Sequence, residues 1–67
     1  MIRINGKQYA FKDFTHMTVF EYIAQQGLNS DYLVVEINQQ IVPKRLYKEQ
    51  KFHSGDSVEI VCFVGGG

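Results

Sequence analysis

Gly65-Gly66-Gly67, the last three residues of this 67-residue sequence, are the stretch whose composition points most directly to chemistry. Glycine has no side chain to pack and costs the most backbone entropy to order. The one reactive group such a stretch offers is the α-carboxylate of Gly67. Directly before it, Asp56 to Val64 alternates as a strand, with no cap, linker or charged segment between strand and glycines. Three extended residues reach roughly 10 Å beyond a folded body. That is enough to enter a partner's active site while the body stays outside. Lacking Cβ atoms, the peptide can thread a channel too narrow for any other sequence. The competing reading is a frayed terminus with no role. The two part on whether function needs the Gly67 carboxylate.

Other candidates for chemistry are weaker. His16 and His53 stand far apart in sequence with no third ligand nearby, and surface positions account for both. No metal site is expected. The sequence carries no G-x-S-x-G, P-loop or paired-carboxylate motif. Cys62, the sole thiol, shares the alternation of Val58, Ile60 and Val64, so the expectation is a buried cysteine acting as a small hydrophobe. The chain is expected not to be an enzyme by itself.

A body of this length is one small domain with a marginal core. The reading divides it into a domain over 1–64 and a flexible glycine tail over 65–67. A hydrophobic content of 45% argues against disorder. One cysteine excludes an internal disulfide, and so small a chain without disulfides favours a reducing, cytoplasmic setting. Seven basic and seven acidic residues balance, which argues against a general nucleic-acid or membrane-surface binder. No apolar run approaches the ~20 residues of a membrane span. The N-terminus reads as strand and turn rather than as a signal peptide.

The elements that must position the tail are legible from local pattern. Ile2 and Ile4 alternate with Arg3 and Asn5, and Asn5-Gly6 is a favoured pair for a type I′ hairpin turn. Lys7 to Phe11 alternates again, placing Tyr9 and Phe11 on one face. Thr18 and Glu21 form a capping box, followed by a helix over Val19 to Gln26. Phe20, Ile23, Ala24 and Leu28 are its expected buried stripe, and Gly27 its left-handed terminator. Asn29-Ser30-Asp31 reads as a loop, and Leu33 to Ile37 as a strand with Leu33, Val35 and Ile37 on one face. Asn38-Gln39-Gln40 turns into a short Ile41-Val42 edge strand stopped by Pro43. Lys44 to Gln50 reads as a turn or short helix, and His53 to Asp56 as a tight turn into the last strand. The order β-β-α-β-β-β predicts an α+β fold of the β-grasp, or ubiquitin-like, type. Its mixed four- to five-stranded sheet packs on one main helix.

On that fold Glu59, Val61 and Phe63 face the side of the sheet the helix does not cover. Val61 and Phe63 then form an exposed apolar patch beside the tail, suited to a partner, although isolated exposed apolar residues are also ordinary. Lys44, Arg45, Lys48 and Lys51 form the positive cluster, interrupted by Glu49. A solvated face explains it, and an acidic partner or RNA is the alternative.

Three segments carry a family resemblance. Ile2-Arg3-Ile4-Asn5-Gly6-Lys7, Glu36-Ile37-Asn38-Gln39-Gln40-Ile41-Val42-Pro43 and Gly55 through Gly67 resemble the ThiS family, the small sulfur carriers of thiamin biosynthesis. The resemblance spans essentially the whole chain. It implies that a ubiquitin-activating-type, ThiF-like adenylyltransferase uses Mg-ATP to adenylate the carboxylate of Gly67. A protein-bound persulfide then supplies sulfur, leaving a thiocarboxylate (a 1-thioglycine at position 67) that a ThiG-like thiazole synthase accepts. No cofactor bound by the carrier itself is implied. Gly66 and Gly67 match the reactive diglycine, while Gly65, Phe63, Val61 and Glu59 are the expected partner-binding residues. Departures from the family pattern are a third glycine, Asn38-Gln39 where many relatives have Asn-Gly, and no tryptophan near Tyr47. A molybdopterin-synthase small subunit or a ubiquitin-like modifier would share the chemistry. A β-grasp protein- or RNA-binding module with an idle tail is the alternative of another class.

Overall fold

The computed structural model of the protein describes residues 1–63. The expected domain boundary after Val64, the glycine tail and its order when free all lie outside the described residues. Strands β1 (Ile2–Ile4), β2 (Lys7–Tyr9), β3 (Leu33–Ile37), β4 (Gln40–Ile41) and β5 (Ser57–Cys62) form one sheet in the order β2-β1-β5-β3-β4. β5 lies at its centre, parallel to β1 and antiparallel to β3. Helix α1 (Val19–Gln25) supplies the second layer. This is the β-grasp arrangement the element order predicts.

Local chemistry accounts for each boundary. Asn5 and Gly6 have φ of 50° and 84°, the paired positive values of a type I′ turn, and Ile4 pairs with Lys7 across it. At the head of α1 the Glu21 N–H donates to Thr18 Oγ1 at 3.1 Å, and the Thr18 N–H donates to Glu21 Oε1 at 2.8 Å. At its end Gly27, at φ 72°, donates to the Ala24 carbonyl, and the Leu28 N–H donates to the Ile23 carbonyl. Those two bonds form a Schellman motif that satisfies carbonyls the helix leaves open. Gly55, at φ 91°, makes the turn into β5, across which the Asp56 N–H donates to the His53 carbonyl.

Ile2, Ile4, Val19, Ile23, Leu33, Val35 and Val58 fill the space between sheet and helix. Phe14, Tyr22 and Phe52 close one side of it with ring centroids 5.7–5.9 Å apart. Burial, with Tyr9 nearby, pushes the Tyr22 hydroxyl above its ordinary pKa.

Several expectations are corrected. The buried residues of α1 are Val19 and the expected Ile23, with Tyr22 half-buried beside them, while Phe20, Ala24 and Leu28 are exposed. The sheet meets the helix about one position away from the stripe that periodicity favours. Backbone bonds from Val19 to Gln50 and from Phe20 to Tyr47 tie the head of the helix to the loop before β5. Phe11 leaves β2 to open a 3-10 turn, Phe11–Phe14, that buries Phe14 instead. Ser30–Tyr32 is a 3-10 turn capped by the Asn29 side chain rather than an open loop. β4 comprises Gln40–Ile41, and Val42 turns inward, its N–H donating to the Val35 carbonyl. As expected of Lys44 to Gln50, Lys44–Leu46 is a short 3-10 helix, and it delivers the buried Tyr47.

Candidate functional site

The site is the open face of β5 and the residues that the adjoining strands add to it. Alternation with the fully buried Val58 turns Glu59 and Val61 outward, and Val61 is 53% exposed. Beyond Cys62 the pairing continues for one step: the Phe63 N–H donates to the Tyr32 carbonyl at 2.7 Å, and the Phe63 ring is 57% exposed. Glu59, Val61 and Phe63 are thus brought onto accessible surface next to one another. Gly65, Gly66 and Gly67 lie outside the described residues.

Two asparagines hold the strand that carries these groups. Asn5, at the turn after β1, receives the Ile60 N–H on Oδ1 at 2.7 Å and donates from Nδ2 to the Ile60 carbonyl at 3.3 Å. Its own N–H donates to the Val58 carbonyl. Asn38, at the turn after β3, accepts the Ser57 N–H on Oδ1 and donates from Nδ2 to Asp56, both at 3.0 Å. An amide can donate and accept at once, so each side chain stands in for a missing strand residue. β5 is therefore pinned at its start and in its middle, between Glu59 and Val61.

Cys62 is exposed rather than buried. Burial fades along the inward face of β5, from Val58 through the half-buried Ile60 to Cys62, because the core does not extend to this end of the strand. The basic residues divide. Lys44 pairs with Asp31, Lys48 stacks 4.9 Å from the Phe20 ring, and both share a groove with Arg45. Lys51 instead bridges to Thr18. His16 and His53 are exposed, and His53 Nδ1 lies 4.0 Å from Asp56.

Sequence reasoning missed the residues that β3 and β4 contribute to the same face. Val34 pairs with Val61, Glu36 with Glu59, and Ile41 with Glu36. The signal was present in the alternation of β3, whose outward positions are Val34 and Glu36. Which of them meets which residue of β5 depends on register.

Comparison with known proteins agrees with this geometry. The ThiS family model matches residues 2–67. The sulfur carrier protein ThiS of Bacillus subtilis is 37% identical over 67 residues, covering all of both chains. A thiazole synthase of Paramagnetospirillum magneticum is 41% identical over 64 residues, which are 96% of this chain but 19% of that protein. Among solved structures, the thiamine biosynthesis protein (ThiS) of Geobacter metallireducens superposes with a TM-score of 0.78 at 25% identity, covering 98% of this chain and 97% of that one. A full-length family match, a full-length relative and a shared fold converge: the chain belongs to the ThiS family.

Proposed function

We propose that this sulfur carrier of thiamin biosynthesis works through the carboxylate of Gly67, with Gly66 completing the reactive diglycine. The observation that carries the reading is β5 itself. It is the central strand, pinned by Asn5 and Asn38, and it leads in sequence from the exposed Val61 and Phe63 straight into the three glycines.

A carboxylate is a poor electrophile. Adenylation with Mg-ATP by a ubiquitin-activating-type partner expels pyrophosphate and makes the acyl carbon attackable, with AMP as leaving group. Attack by the terminal sulfur of a protein persulfide releases AMP. Thiol cleavage of the resulting acyl disulfide then leaves the thiocarboxylate. The carrier supplies the acyl group and the docking surface (Glu59, Val61, Phe63 and Gly65), while the partners supply the catalytic groups. The relative named thiazole synthase in P. magneticum includes a segment like this whole domain. Carrier-like sequence on one chain with a thiazole synthase supports an enzyme of that class as the sulfur acceptor.

The test is the intact mass after incubation with the adenylyltransferase, ATP and a persulfide source. Replacing one carboxylate oxygen by sulfur adds about 16 Da. The gain is expected in the full chain and absent once Gly67 is deleted. No gain, where an authentic carrier is converted in parallel, favours an interaction module with an idle tail.

A further inference from the structure

We infer that the uncovered face of the sheet receives a protein surface that sets an arginine or lysine beside an apolar patch, with Glu36 and Glu59 together seating the cation. The inference deepens the carrier reading and rests on it for the choice of partner.

Strand register carries it. Glu36 and Glu59 are direct partners across β3 and β5, and Ile41 stands opposite Glu36 on β4. The next outward pair along the same two strands is Val34 with Val61. Side chains directly opposite on one face have Cβ atoms about 5 Å apart, and like charges placed there destabilise a sheet. Neither carboxylate forms an ion pair among the described residues. Arg3, which shares this face opposite Ser57, forms none either. The Asn5 amide is committed to Ile60. Among the described residues the protein thus holds two neighbouring carboxylates with no ion-pair partner, bordered by Ile41 at 66% exposure and Val61 at 53%.

Charge decides the occupant. An apolar strip on an open sheet invites a second copy of the chain, but an isologous dimer centred here would bring two Glu36–Glu59 pairs together. Four carboxylates facing one another oppose that dimer. A partner carrying a guanidinium or ammonium group relieves the repulsion within the pair while its apolar neighbours cover Val34, Val61 and Phe63. The protein's net charge is zero, so orientation on approach must come from such local arrangements.

The experiment is calorimetric titration of the full chain into a thiazole synthase at two salt concentrations, comparing wild type with the Glu36→Gln, Glu59→Gln double variant. The double variant is expected to weaken Kd about tenfold and to flatten its salt dependence. Its thermal midpoint should stay level or rise, since the substitution removes repulsion between the exposed Glu59 and the half-buried Glu36. An unchanged Kd with unchanged salt dependence overturns the inference. So does a wild-type dimer that Val61→Lys dissolves, which would make a second copy the occupant. The mass gain at Gly67 is read separately in wild type and in the double variant. A gain with an unresponsive Kd removes the docking inference alone, whereas a responsive Kd without any gain in wild type removes the carrier chemistry and leaves the docking face standing.

Discussion

Two turns of this molecule have the same shape and the same leading residue, yet they differ at the second position. Asn5-Gly6 closes β1 onto β2, and Asn38-Gln39 closes β3 onto β4. All four residues have positive φ, from 50° to 84°. In both turns the asparagine faces β5, its N–H meeting a β5 carbonyl at 2.8 Å and its amide bridging to that strand or to the residue before it. Asn5 grips the middle of β5 and Asn38 its start. The second residue makes the difference. Gly6 takes its conformation without strain, whereas Gln39 holds φ 69° with a Cβ. The comparison teaches that the asparagines serve tertiary contact as well as turn shape, while the residue after each serves the turn.

The comparison can be broken at three places. The largest effect is expected for Asn38→Ala. It places alanine at φ 53° and removes a hydrogen bond to Asp56, a nearly buried carboxylate whose other partner is the His53 N–H. A loss of about 3 kcal/mol is expected, from a charge-assisted bond plus left-handed backbone strain. Urea denaturation checks it. Asn5→Ala loses bonds to neutral backbone groups only and should cost about 2 kcal/mol. Asn5→Gly, which keeps the backbone conformation accessible, should cost about half as much, and a loss near zero for Asn5→Gly would show that only the turn shape matters. The smallest effect has the opposite sign. Gln39→Gly should stabilise by about 1 kcal/mol by relieving strain, raising the thermal midpoint roughly 4–8 °C. No gain there would mean that Gln39 makes a compensating contribution and that the two turns differ less than their φ values indicate.

The two faces of β5 extend the lesson from turns to function. Its inward face begins at the fully buried Val58 and is stability, while its outward face presents Glu59 and Val61 and is recognition. The outward set was legible from alternation and from the glycines at the end of the chain. The inward set was misjudged at Cys62, because alternation tells which residues share a side but not how far the core extends along it. The stripe of α1 failed for a related reason. Phe20 and Ala24 fit helical periodicity as well as Val19 and Tyr22 do, and bonds to residues far along the chain set the rotation.

By itself the sequence determined the features that nearest neighbours can dictate. It set the type I′ turn at Asn5-Gly6, the Thr18–Glu21 capping box, the Gly27 terminator, the strand alternations and the side-chain-free stretch after Val64. These arise from φ preferences, local hydrogen bonds and steric limits within a few residues. Only the tertiary structure decided that Glu36 meets Glu59, that the Asn5 and Asn38 amides close on β5, and that Cys62 lies outside the core. Each depends on register between strands remote in sequence, and register is set by the packing of the whole sheet against the helix.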